Sequence, residues 1–381
     1  MRAQCSLEET QMLKRHYGII VFMSWLVVTA GIFPGADEVK TPTPRLPLLD
    51  GGFWQVGPGL SAHFSDEMLT EEVGYFKELG LSIIMIQYSG RWDPEKNQYF
   101  AYMPNPIFPI QPGLEGKDPI GAIMKAAEEH GVKVIIGGLL SPTPRHIDYE
   151  NKINVWVSDS VFAYRKFVLE RFQNSPALYG FYIPNEPNPQ DFLDHNCDKQ
   201  LYIDATKKVA EFVKKNNPKL KIVKSVGLYL EREVQGDKAT YKHASVAFLD
   251  AWWRPWVEQL DAIDAWMIID GVGTALSSLE HTDISQEWLA KLCGEHGKEF
   301  WADVENAVMG AQSYPFTMER FEKSLRVAAQ RADVIVTFDY AHYMSRQSNK
   351  EAARQLYSDY KAYRAKILGD DSSPQPQANS R

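Results

Sequence analysis

Three short stretches punctuate this chain in the same way. Leu79-Gly80-Leu81-Ser82-Ile83, His130-Gly131-Val132-Lys133-Val134 and His296-Gly297-Lys298-Glu299-Phe300 each place a glycine where a helical pattern stops and an apolar run resumes. Glycine ends helices because it enters the left-handed conformation without steric cost, so each stretch marks a passage from helix to strand. Strand-like runs cover residues 52–56, 81–88, 132–139, 177–184, 220–228, 262–269, 299–305 and 333–340. Between them, Leu69, Val73 and Phe76 recur at helical spacing after Ser65, as do Val161, Tyr164, Val168 and Phe172 after Ser158, and Phe321, Leu325 and Ala328 after Thr317. About eight strand–helix units in alternation predict an α/β fold of the (β/α)8 barrel type, a single domain over residues 51–368.

With 381 residues, 44% of them hydrophobic, the chain can bury the core such a barrel needs. A formal charge of -8 offers no basic stripe, so nucleic acid is not an expected partner. Residues 1–36 read as an export signal or N-terminal anchor: Lys14, Arg15 and His16 precede an apolar run, and Val28-Thr29-Ala30 supplies small residues for cleavage. The expected location is therefore secreted or otherwise extracytoplasmic, with membrane tethering possible through that segment only. Residues 37–50 are proline-rich and read as a linker, and residues 369–381 as a disordered tail. Of the 3 cysteines, Cys5 would leave with a cleaved leader, and Cys197 and Cys293 remain as a possible pair.

In a barrel of this kind the strand C-termini and the loops after them build the active site. Two glutamates stand at such positions. Tyr182-Ile183-Pro184-Asn185-Glu186-Pro187 carries Glu186 out of the fourth strand, and Phe300-Trp301-Ala302-Asp303-Val304-Glu305-Asn306 carries Glu305 out of the seventh. Strand alternation puts Trp301, Asp303 and Glu305 on one face and Phe300, Ala302 and Val304 on the other. Two separated carboxyls are what acid-assisted cleavage of a glycosidic bond requires, one protonated to assist the leaving oxygen and one ionised to attack.

Asn-Glu-Pro at the end of strand four with a glutamate at the end of strand seven resembles the clan A glycoside hydrolases, such as family 5. More closely, Gly52-Phe53-Trp54-Gln55, Phe181-Tyr182-Ile183-Pro184-Asn185-Glu186, Asp270-Gly271-Val272-Gly273 and Trp301-Ala302-Asp303-Val304-Glu305 look like a glycosidase-related barrel family catalogued as domain of unknown function 4434. The resemblance implies Glu186 as acid/base, Glu305 as nucleophile, Asn185 as a contact to a sugar hydroxyl, and a retaining reaction. The chain departs from the family 5 pattern in three places. Ile84-Met85-Ile86-Gln87 stands where an arginine is usual, Gly137-Gly138-Leu139-Leu140-Ser141 lacks a histidine, and strand eight ends in Phe338-Asp339-Tyr340 rather than in tryptophan.

Further candidates for carbohydrate contact lie at or just beyond strand ends: Trp54, Gln87, Tyr88, Trp92, Tyr229, Asp270, Asp303, Asn306, Tyr314, Asp339 and His342. Sugar rings stack on aromatic faces, whereas carboxylates and amides bind hydroxyls. Leu249, Trp252, Trp253, Trp256 and Leu260 follow helical spacing and read as core. The long connection from Ser89 to Pro119 either shapes the cleft or forms a flap with its own apolar cluster. No cofactor is expected, because Gly57-Pro58-Gly59 only partly imitates a dinucleotide turn and no phosphate loop occurs. No metal ligand spacing stands out, although Asp270, Asp303, Asp339 and His342 keep a metal-dependent hydrolase conceivable. A carbohydrate-binding barrel without catalysis is the other reading.

Overall fold

The computed structural model describes residues 45–370 except 62–63, 143–148, 187–197, 228–229, 236–237 and 311–312. The chain divides between Lys40 and Thr41, and only the second part contains described residues. The leader, residues 37–44 of the linker, Tyr229, Cys197 and residues 371–381 lie outside them. Among the described residues, no helix is long and apolar enough to cross a membrane.

Eight parallel strands close into a barrel: β1 (Gly51–Trp54), β2 (Ile83–Ile86), β3 (Lys133–Gly137), β4 (Leu178–Ile183), β5 (Lys221–Val226), β6 (Ala265–Ile269), β7 (Glu299–Glu305) and β8 (Val334–Phe338). Each falls within or almost within a strand-like run of the sequence. The ring closes where Gly51 and Gly52 of β1 pair with Val336 and Thr337 of β8. A Cβ on Gly51 would lie 2.1 Å from the Ile83 carbonyl oxygen, so only glycine lets β1 approach β2 here.

Helices follow the strands in order: α1 (Asp66–Glu78), α2 (Pro119–His130), α3 (Asp159–Phe172), α4 (Lys199–Asn216), α5 (Val246–Gln259), α6 (Leu279–Glu295), α7 (Met318–Ala328) and α8 (Glu351–Leu368). Ser65 and Thr317 cap their helices by accepting the amides of Met68 and Arg320, whereas Ser158 makes no such bond. Gly80, Gly131 and Gly297 all have positive φ (76°, 63° and 63°), the conformation that lets the chain leave one helix for the next strand.

The apolar residues form two layers. Phe53, Ile83, Met85, Ile135, Tyr182, Val223, Ala265, Met267, Trp301 and Val336 fill the barrel interior, and a larger set packs between strands and helices. A Lys221–Glu299 ion pair lies at the strand N-terminal end, with the Lys221 ammonium 6.0 Å above the Trp301 ring. The lower interior is therefore plugged, and the polar inward positions are left to the strand C-termini.

Residues 45–50, the end of the proline-rich segment, pack on the barrel rather than leaving it. Arg45 donates to the Ala329 carbonyl, Asp50 accepts the Ile335 amide at 2.7 Å, and Leu49 is buried. The connection after β2 folds into a small sheet of Gly90–Asp93, Gln98–Ala101 and Leu139–Leu140, whose Tyr99, Phe100 and Tyr102 are buried. Tyr99 and Tyr102 belong to the main core rather than to an apolar cluster of their own. Cys293 is a free thiol buried on the inner face of α6, and the other cysteine of the expected pair, Cys197, lies outside the described residues. Trp253 and Trp256 are core, as their spacing predicts.

One buried carboxylate ties the first unit to the last. Glu72 of α1 accepts the Tyr340 hydroxyl at 2.6 Å, the Arg346 amide at 3.1 Å and the Gln347 amide at 3.2 Å. Burial pushes its pKa up, against the pull of these donors. Glu72→Ala should cost about 3 kcal/mol, because it strands several buried donors at once. Denaturant unfolding checks this, and a loss below about 1 kcal/mol would mean that water or repacking satisfies those donors.

Candidate active site

Strand parity decides what faces the mouth of the barrel. On β7, Trp301 belongs to the interior layer and Phe300, Ala302 and Val304 to the outer one, which puts Asp303 and Glu305 inside. Glu305 is 3% exposed at the strand end. One of its carboxyl oxygens accepts the backbone N–H groups of Gly273 and, at 3.1 Å, Thr274, from the turn after β6. Gly273 is required for this approach, since a Cβ there would lie 2.1 Å from the Ala307 carbonyl oxygen.

Asp270 begins that same turn and is 2% exposed. Its Oδ1 accepts the amides of Val272 at 3.1 Å and Glu305 at 3.3 Å, while Oδ2 is buried without a donor. Asp303, 1% exposed, likewise has a buried oxygen without a partner. Burial first, and the neighbouring carboxylates second, push both aspartates well above the usual carboxylate range. A buried carboxyl oxygen that no donor reaches is most cheaply satisfied by carrying the proton itself.

At the end of β4, Tyr182 points inward and its hydroxyl donates to Glu186 Oε1 at 2.9 Å, while Ser225 of β5 lies 2.7 Å from the same hydroxyl. Glu186 keeps exposed surface, yet burial is the largest influence on its pKa and raises it. Water reaches one side of this carboxyl while protein displaces it from the rest. Glu305 is also raised, by burial first, with the Gly273 and Thr274 amides and Asp270 opposing and the Glu186 charge adding to the rise. Among the described residues, Glu305 accepts two backbone amides, whereas Glu186 accepts one hydroxyl and is also favoured as an anion by Lys224.

The other sequence candidates divide. Asn185 is buried, its Oδ1 accepting the Ser141 amide at 3.0 Å and its Nδ2 without a partner. Tyr88 packs against the outer core with its ring 5.8 Å from that of Tyr102, and burial first, then the charges of Asp339 and Glu186, raise its pKa. Gln87 accepts a hydrogen bond from Gln55 at 2.6 Å. Asn306 donates to the Asp339 carbonyl at 3.2 Å and leaves Oδ1 unpaired. Asp339 holds His342 at 2.7 Å, and although burial alone would lower the imidazole pKa, this carboxylate leaves it raised.

Trp54 is the clear correction. It is fully buried in the outer layer, stacked on Tyr340 at 5.5 Å and edge-on to Phe76, and offers no face to a sugar. Phe53 took the inward position of β1, and the parity of a four-residue strand was not legible from its flanks. Trp92 packs edge-on against Tyr99 in the side sheet at 5.1 Å, and Tyr314 is exposed on a two-residue strand. Tyr182, Ser225 and Lys224 were not anticipated. Tyr182 shares strand parity with Glu186, and Lys224 interrupts the apolar run Ile222-Val223-Lys224, so a signal existed for both. Among the described residues, no group of three or more His, Cys, Asp or Glu could hold a metal ion.

The chain is thus a closed (β/α)8 barrel in which β7 ends at Glu305 and Glu186 follows the end of β4. A sequence-family profile described as Domain of unknown function (DUF4434) matches residues 49–352, and the chain belongs to that family. No curated protein matches it. Among solved structures it is similar to a candidate alpha-L-fucosidase from Bacteroides thetaiotaomicron, with 19% identity and a TM-score of 0.67 over 88% of this chain and 98% of that one. It is also similar to the endo-beta-1,4-mannanase of Thermotoga petrophila, with 13% identity and a TM-score of 0.55 over 89% and 80%, and to that of Rhizomucor miehei, with 13% and 0.52 over 84% and 95%. These likenesses show the (β/α)8 barrel fold.

The carboxyl cluster carries a pH signature. Asp270, Asp303, Glu186 and Glu305 all have folded-state pKa values above their ordinary ones. Stability gained from holding these protons is complete below the unfolded values near ~4 and is lost as pH rises through the folded ones. Asp303→Asn should flatten that decline and raise Tm at alkaline pH by about 2–4 °C relative to the parent. Thermal melts across pH check it, and parallel curves for the two proteins would sink it.

Proposed function

We propose that this barrel is an exported, retaining glycoside hydrolase, with Glu186 as acid/base and Glu305 as nucleophile. The observation that carries this reading is the unequal solvation of two glutamates within one basin. Glu186 has the single hydroxyl of Tyr182, whereas Glu305 has two backbone amides and lies against Asp270. Burial raises Glu186 and so favours the protonated form that a general acid needs, and the donors around Glu305 favour the anion that attacks the anomeric carbon.

In the first step the Glu305 carboxylate would form a bond to the anomeric carbon while the Glu186 proton passes to the departing oxygen. In the second, Glu186, now a carboxylate, would take a proton from water as that water displaces Glu305. Asn185 Nδ2 and Asn306 Oδ1, both buried and without a partner among the described residues, would supply a donor and an acceptor for sugar hydroxyls. The relatives act on different sugars by description, a fucoside in one and mannan in the others, so the sugar here is an unspecified carbohydrate. Export rests on the basic, apolar and small-residue order of the first 36 residues.

A panel of dinitrophenyl and methylumbelliferyl glycosides tests the reading. Glu305→Gln should lower kcat/KM by at least ~10⁴-fold, and Glu186→Gln by about 10²–10⁴-fold with the poorer leaving group. Azide should restore turnover of the dinitrophenyl substrate by Glu186→Ala, and a 2-fluoro glycoside should label Glu305. Unchanged turnover in Glu305→Gln would remove it from the nucleophile role. Binding of glycans by a protein inert in every assay would favour a carbohydrate-binding barrel.

A further inference from the structure

Lys224 lies on β5 with the parity of Ile222 and Val226, on the outer side of the barrel wall, and it is fully buried. Lysine is almost never found in that state without a partner, because removing an ammonium from water costs several kcal/mol. Its Nζ donates to the Asn185 carbonyl and, at 2.9 Å, to the Ser225 carbonyl. No carboxylate of the described residues reaches ion-pair distance of it. Both acceptors adjoin the site: Asn185 precedes Glu186, and the Ser225 side chain meets the Tyr182 hydroxyl that donates to Glu186.

We propose that Lys224 is a positioning residue for Glu186, whose buried ammonium clamps the end of β4 and stabilises the ionised form of that glutamate. This rests on Glu186 being the acid/base. A clamp alone needs only a donor, which an amide or hydroxyl would supply without burying a charge. A charge behind the glutamate answers a specific need: the acid must surrender its proton in the first step and remain an anion until water arrives. Among the described residues, the titratable groups electrostatically linked to Glu186 are Tyr182, which donates to it, Lys224 on β5, Asp303 and Glu305 on β7, and Tyr88 after β2. Among them Lys224 is the cation. Burial brings the ammonium down to about 7, with Glu186 opposing, so the two groups compete for protons in the range where such an enzyme would work.

Lys224→Gln keeps an N–H donor and removes the charge, and Lys224→Met removes both. Glu186 is followed by NMR of ¹³C-labelled glutamate side chains, its resonance assigned with Glu186→Gln. With the cation gone the carboxylate is less stable, so the Glu186 midpoint should move to higher pH by about one unit in both variants. The alkaline limb of kcat/KM for a methylumbelliferyl glycoside, whose poorer leaving group needs the acid, should move with it. A folded Lys224→Gln protein with an unmoved Glu186 midpoint overturns the proposal, even if its stability has fallen. Should both variants fail to fold, the parent protein decides: a Glu186 curve with two inflections, the second matching a ¹⁵N-observed lysine, supports coupling, and a single inflection overturns it. The NMR readout needs no turnover. A midpoint that moves in a protein inert on every glycoside counts against the hydrolase reading, whereas an unmoved midpoint in an active enzyme counts against Lys224.

Discussion

Gly51 and Gly52 bring β1 against Val336 and Thr337 of β8, and once that ladder is made no strand of the ring has a free edge. Closure forces every second residue of every strand toward one axis. Bulky side chains such as Met85, Met267 and Trp301 fill its lower part, and the Lys221–Glu299 pair lies beneath them. Inward residues near the strand C-termini have nowhere to point except a common basin. Glu186 and Glu305 share that basin for this reason, although more than a hundred residues of chain separate them.

Burial in the basin sets the chemistry. Four acidic groups, Glu186, Asp270, Asp303 and Glu305, occupy one end of the barrel, and burial there raises the pKa of each. What distinguishes them is the supply of donors. Backbone amides from the turn after β6 reach Glu305, a phenol reaches Glu186, and one oxygen of each aspartate is reached by none. The fold thus ranks otherwise similar carboxyls by their hydrogen bonds, and the buried cation Lys224 enters that ranking from behind β4.

The architecture was legible because its signals are local. Gly80, Gly131 and Gly297 marked helix ends through a backbone conformation that glycine enters cheaply, and all three adopt it. Ser65 and Thr317 capped helices as their positions suggested, and the parity of Trp301, Asp303 and Glu305 came from a strand long enough to count along. Parity failed at Trp54, because β1 is four residues of unbroken burial that give no polar side to count from. The Ser89–Pro119 connection carried no motif, and its pairing with Leu139–Leu140 depends on a segment distant in sequence.

The sequence by itself determined the barrel, the order of its units and the two glutamates at the ends of β4 and β7, since these follow from periodicity and punctuation along the chain. Only the tertiary structure decided which aromatic faces inward and that Cys293 stays a thiol. It alone brought the amides of Gly273 and Thr274 to Glu305 and the Lys224 ammonium behind Asn185. The reason is that hydrogen bonds and fields depend on distance through space, and pairs such as Glu305 with Gly273 or Lys224 with Asn185 become neighbours only when the ring has closed.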